Sequence, residues 1–251
     1  MNTISNFTLS DTMYVTKRNS RSISAFTLAE VLITLGIIGV VAAMTIPTLV
    51  TNADKKVTAT KLKAFYSKIN QAVKMSTAYN GEPDGWVYPK SASDYSQHKT
   101  FVNTYFAPYM KLSSCRQVSL PYMSGCIGCA MSDGSGVVFG AVDGIDIYYI
   151  TDYQLLVKHI EKRTDFRKDL RHAFAFQINK VTADGYLPGV NKNTAIVNKN
   201  FVIPYILNWD GNLSTLKNQS KYGCNKTAQY PSYCARWIQE NGWEIPNDYP
   251  W

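Results

Sequence analysis

Apolar and polar positions fall into successive regimes along the chain. Residues 1–25 are polar, rich in Ser, Thr and Asn, and carry no hydrophobic period. From Val31 to Val50 there are twenty residues without a charge. At about 1.5 Å of rise per residue, a helix of that length crosses the roughly 30 Å hydrocarbon core of a bilayer. Beyond it the pattern changes. Val57, Leu62, Phe65, Tyr66, Ile69 and Val73 recur at spacings of mostly three and four, while Lys61, Lys63, Lys68 and Lys74 take the other sides. That is the apolar stripe of a helix packed on one face, and Gly81 and Pro83 supply its stop. The pattern predicts one long helix, membrane-spanning over 26–50 and amphipathic over 51–81.

Residues 82–251 read as a globular region. The polar run 82–99 predicts a surface loop, and Phe101 to Met110 a short packed helix ending near Pro108. Short β-branched and aromatic runs at 136–142 and 145–150 flank Asp143-Gly144, a strong two-residue hairpin turn. A third strand is predicted at 173–178, preceded by a charged, solvated connection or exposed helix over 161–171. Residues 201–207 predict an edge strand, because Pro204 cannot donate to a central ladder. Cys234 to Glu240 suggests a short helix stopped by Gly242. The expected fold class is α+β, a long N-terminal helix packed on a small antiparallel sheet.

Composition changes this picture little. A chain of 251 residues with 45% hydrophobic and 18% charged residues can hold one large or two small packed domains. Its net charge of +8 falls to +6 without residues 1–25, which contain Lys17, Arg18, Arg21 and Asp11. This excess permits attraction to nucleic acid or anionic surfaces without requiring it, and reads mainly as solvated surface. One charge stands out. Glu30 lies at the start of the apolar run, where a carboxylate is costly and the default reading is functional, with a partner to be named. A secretory signal has a shorter apolar core followed by a small-residue cleavage site; here Ala25 precedes the run.

Phe26-Thr27-Leu28-Ala29-Glu30-Val31-Leu32, followed by the apolar helix, resembles the prepilin motif of type IV pilins and type II secretion pseudopilins. The specific resemblance covers roughly residues 21–80. It implies a pilin-like fold and a leader, residues 1–25 (or from Met13), removed by a prepilin peptidase between Ala25 and Phe26. It also implies N-methylation of Phe26, and an assembly role in which Glu30 pairs with the amine of a neighbouring subunit. Pro47 matches a helix-weakening proline of the family, and Ala25 stands where the family usually has Gly. The implied partners are the peptidase, other pilin or pseudopilin subunits in a homo- or hetero-filament, the inner-membrane assembly platform and the lipid bilayer. The implied placement is single-pass in the bacterial inner membrane with the large domain outside, reaching the periplasm or cell surface in a filament. Charge counting opposes that orientation, since Lys55, Lys56, Lys61, Lys63 and Lys68 outnumber the basic residues of the leader. The resemblance, and the ease with which large domains translocate, decide it.

Outside the cytoplasm the five cysteines are expected to form disulfides. The resemblance implies a Cys224–Cys234 bond, since many pilins close a C-terminal loop this way. Among Cys115, Cys126 and Cys129 one pair is expected, and the sequence leaves open which. Cys126-Ile127-Gly128-Cys129 also has the spacing of a redox or zinc motif. However, the scattered His98, His159 and His172 supply no metal-ligand spacing, so no metal and no cofactor is assigned. Asp133, Asp143, Asp146 and Asp152 are calcium candidates by the resemblance to pseudopilins, but they do not match the EF-hand loop and read first as turn or solvent residues. The C-terminal aromatic cluster (Trp209, Trp237, Trp243, Trp251) reads as a satellite core. No phosphate loop, nucleophile elbow or zinc-protease motif is present, so no enzyme is expected. Two function classes follow: a filament subunit, or a membrane-tethered extracytoplasmic binder of DNA or glycan that does not polymerise.

Overall fold

A computed structural model describes residues 26–120, 123–140, 146–178 and 201–251. The leader with Ala25, and the Asp143-Gly144 turn, lie outside the described residues. The chain divides into two units, residues 1–48 and 49–251. In the first unit the described residues are almost wholly helical, the start of α1 (Leu28–Asn80). The most apolar window of α1 has a mean hydropathy of 2.2, and none of it is buried. Pro47 lies inside α1 without ending it.

The second unit is an α+β domain built on a six-stranded antiparallel meander, each strand beside the next in sequence. Its strands are β1 (Ser113–Leu120), β2 (Met123–Ala130), β3 (Gly136–Gly140), β4 (Asp146–Ile150), β5 (Ala173–Ile178) and β6 (Val202–Pro204). Pairs such as Val138↔Tyr148 and Tyr148↔Ala175 set the register. Side chains alternate across a strand, which gives the sheet two unlike faces. One is large and aromatic. Phe65 of α1 stacks on Tyr149 at 4.4 Å and meets Phe176 edge-on at 5.2 Å, and Phe106 packs on Phe139 at 4.8 Å. Leu62, Ile69, Ala72 and Val73 of α1 are fully buried in the same core.

The opposite face carries Val138, Tyr148 and Ile150 among small residues, Cys126, Gly128, Ala130, Gly136, Gly140, Ala173 and Ala175, and Gly128 and Gly136 let α4 (Tyr153–Glu161) lie close. A Cβ on Gly128 would come within 2.6 Å of Val118 and 3.1 Å of Leu156. This requirement explains why β1 and β2 escape prediction: strands made of Ser, Gly and Cys lack the β-branched signature.

Helix α2 (Tyr95–Tyr105) begins inside the predicted loop 82–99. Asp94 caps it, accepting from Gln97 N–H at 3.0 Å and from the Gln97 amide at 2.8 Å. The four-residue α3 (Ala107–Met110) follows, so the expected 101–110 helix is two elements. The connection 161–171 is not simply solvated. Phe166, Arg167 and Leu170 are buried there, and Arg167 is held bidentate by Asp165 at 2.7–3.1 Å. The predicted edge strand is the short β6, last in the sheet. After α5 (Leu213–Asn218), α6 (Cys234–Glu240) ends before Gly242 at φ 72°. Trp209, Trp237, Tyr222, Tyr233 and Tyr249 are buried in the one main core rather than in a satellite.

Candidate functional site

Two regions of α1 bring chemistry-bearing residues together. The first is its start. Thr27 N–H donates to a Glu30 carboxylate oxygen at 2.8 Å, as does the Thr27 hydroxyl at 2.9 Å. Glu30 N–H donates back to the Thr27 hydroxyl at 3.2 Å. This is a capping box, in which two otherwise unsatisfied N–H groups of the first turn find side-chain acceptors. The signal was present in the sequence as Thr27-Leu28-Ala29-Glu30, the Thr-x-x-Glu spacing ahead of an apolar run. Glu30 therefore has a role within its own helix, apart from any neighbouring chain. Phe26 precedes the box and is 85% exposed. Further along, the hydroxyls of Thr34 and Thr45 donate to the carbonyls of Glu30 and Val41 at 2.9 Å, burying their polarity against the helix backbone.

The second region is the face of α1 over residues 52–63. Asn52, Lys55, Lys56, Ala59, Thr60 and Lys63 share one side of the helix, each three or four residues from others of the set, and form one wall of a groove of about 620 Å³. The facing wall is the turn Gly242 to Asn247. Trp243 stands in that turn with φ 65°, a left-handed backbone that costs a non-glycine residue about 1–3 kcal/mol. Two bonds wrap the end of α6 and impose it: Gly242 N–H to Gln239 O at 3.0 Å and Trp243 N–H to Ile238 O at 2.9 Å. The Trp243 ring rests on Tyr66 at 5.1 Å. In sequence these lysines read as orientation signals and as the polar side of α1, and Trp243 as part of an aromatic cluster, either satellite core or a carbohydrate or partner surface. Nothing local in sequence links positions some 180 residues apart.

The cysteines are arranged differently from a redox or zinc motif. Cys115 is bonded to Cys129 and Cys224 to Cys234. Cys126 and Cys129 lie three apart on β2 and so face opposite sides of the sheet. With Cys129 bound to Cys115, the Cys-x-x-Cys spacing offers no dithiol. Cys126 is in neither disulfide and is buried, its thiol 3.5 Å from Met123 O.

The candidate acids are dispersed. Asp133 bonds the N–H and hydroxyl of Ser135 and lies 3.5 Å from Lys68. Desolvation alone would raise its carboxyl, but these partners outweigh that and hold it below the usual range. Asp152 caps α4 through Gln154 N–H at 2.8 Å. Asp146 keeps part of its residue surface open while its carboxyl is withdrawn from water. That desolvation pushes it up to about 7, against the pull of Arg167. Asp143 lies outside the described residues. Among the described residues, no group of three His, Cys, Asp or Glu side chains comes together as a metal site.

The arrangement defines a class: an α+β domain on an antiparallel meander, carried by a helix whose first half is long and apolar enough to cross a membrane. The chain belongs to a family of unknown function, DUF6613, which it matches over residues 48–251. No curated protein and no solved structure matches it.

Proposed function

We propose that this chain is a prepilin-like structural subunit, cut between Ala25 and Phe26, methylated on Phe26 and assembled through α1 into a type IV pilus or type II secretion pseudopilus. The observation that carries this reading is the start of α1: an exposed Phe26, an acid four residues on, and then an uncharged, wholly exposed helix. An apolar surface of that size must be covered by lipid, by neighbouring helices, or by each in turn. A prepilin peptidase, sister subunits, an inner-membrane assembly platform and the bilayer are the partners this reading requires. It places the domain outside the inner membrane, where the two disulfides would persist. No catalytic step is assigned to it.

The test is mass spectrometry of the amino terminus of the mature protein. An N-methylated Phe26 is expected, and an intact leader or a cut elsewhere would overturn the reading.

A second reading, a membrane-tethered binder of DNA or glycan that does not polymerise, is favoured by the capping box. Thr27 gives Glu30 a function that needs no second chain. An unprocessed yet membrane-bound chain would support it.

A further inference from the structure

The first lysine of the groove, Lys55, stands five residues past Val50, the end of the apolar stretch. We propose that the groove binds the phosphate headgroup of an anionic phospholipid, and so seats the domain on the membrane. This rests on α1 being a membrane anchor and adds a ligand to that reading.

Charge is the first argument. Lys55, Lys56 and Lys63 all line the groove, against a single acid, Glu244. None of the three lysines takes part in an ion pair among the described residues. Lys68, by contrast, is neutralised by Asp133 at 3.5 Å. Three ammonium groups left unpaired on one wall make a site for a phosphate oxyanion, because each is a point charge with several rotatable donors.

The remaining lining fits the rest of a headgroup. Asn52 can bond glycerol or ester oxygens, and Trp243 with Ile245 offers an apolar flank to the first acyl carbons. Tryptophan favours the boundary between lipid and water because its ring is apolar and its N–H polar. Here it is held at that wall by a strained backbone and by the Tyr66 ring. The volume, about 620 Å³, suits a small ligand rather than a macromolecular surface. Basic residues next to a membrane helix gain most from an anionic leaflet because the surface potential decays within a Debye length.

The full chain is reconstituted into nanodiscs of mixed phosphatidylglycerol and phosphatidylcholine and released into detergent. Retained lipid is then weighed by native mass spectrometry. Phosphatidylglycerol should be enriched over phosphatidylcholine. The triple variant Lys55→Gln, Lys56→Gln, Lys63→Gln should lower that enrichment by at least about tenfold. The charge-matched variant Lys99→Gln, Lys162→Gln, Lys226→Gln should leave it unchanged.

Equal retention of both lipids, or full enrichment in the first triple variant, would overturn the proposal. So would displacement by inorganic phosphate as effective as by phosphatidylglycerol, or lysine-dependent binding of a single-stranded DNA probe without lipid preference. Carbonate washing of cell membranes separates the two levels. A wild-type chain that washes off removes the anchor reading and the headgroup site together. A chain that stays but shows no lipid preference removes the site alone.

Discussion

Asn70 is the residue by which α1 is fixed in register on the sheet, and its removal should be costly. It is 6% exposed, and its amide spans the outer edge of β6. The side-chain oxygen accepts from Val202 N–H at 3.0 Å, and the side-chain nitrogen donates to Val202 O at 2.9 Å. The same nitrogen reaches Tyr66 O at 2.9 Å within the helix. Val202 faces β5 in the ladder through Ile178, so Asn70 takes the place of a seventh strand at a single position. In Asn70→Ala the Val202 N–H and C=O lose their partners while still buried. Each such group costs about 1–3 kcal/mol, and alanine returns up to about 0.7 kcal/mol of helix propensity. The net loss should be about 1–5 kcal/mol. For a domain of this size that is a fall in Tm of about 2–20 °C. Thermal unfolding of the full chain in detergent, followed by circular dichroism, measures it, and amide exchange at Val202 should quicken in parallel. A variant within about 0.5 kcal/mol of wild type, with Val202 exchange unchanged, would refute the claim that this edge depends on the side chain.

Glu30→Gln keeps the capping geometry and removes the charge, whereas Glu30→Ala removes both. If Glu30 registers subunits, sheared-filament yield should collapse in both variants with membrane insertion intact; normal filaments from Glu30→Gln would reduce the acid to a helix cap. Breaking the Cys224–Cys234 bond, which closes a ten-residue separation, should cost about 2.7 kcal/mol on the chain-entropy estimate, and Cys115–Cys129, at fourteen, about 3.0 kcal/mol. Reducing and non-reducing thermal melts of Cys224→Ser and Cys115→Ser compare them. Asp146, raised to about 7 when folded, favours the folded state while protonated. Its contribution is therefore present in acid and lost as pH rises through about 7, so Asp146→Asn should flatten the decline in Tm between pH 4 and 8.

The parts of the fold that were legible in sequence are those in which local chemistry and burial agree. The α1 stripe reads directly from Leu62 to Val73 because those apolar positions face one sheet, whereas Val57, counted in the same stripe, is 53% exposed. Pro204 placed its strand at an edge for a backbone reason that needs no tertiary knowledge. The first hairpin was hidden because β2 needs small residues: Gly128 sits where a Cβ would meet the Val118 side chain at 2.6 Å. Such a constraint belongs to packing and leaves no periodic trace. The buried Arg167 was misread for a related reason, since a charged run looks solvated until its partner is known, and Asp165 only two residues away neutralises it. Of the candidate site, the helix start was readable and the groove was not. Its lysines belong to α1 and its Trp243 to a turn that only the fold brings against that helix.

The resemblance and the family match rest on different lengths of chain, and that decides what each can support. The resemblance covers roughly residues 21–80 and the family match residues 48–251, so the two share only 48–80 and the prepilin-like start lies outside the match. Processing and assembly are therefore argued only from the apolar helix and its cap, and any ligand specificity must come from the domain beyond it. The lysine groove lies within the matched part and next to its first residues. If assembly moves α1 from lipid into a bundle of helices, the lysines must leave the headgroups at the same step. A headgroup site there would oppose extraction from the membrane, so weakening it should ease that step. The Lys55, Lys56, Lys63 variant that loses phosphatidylglycerol should then yield as many sheared filaments as wild type or more, the opposite of the loss expected from Glu30→Gln.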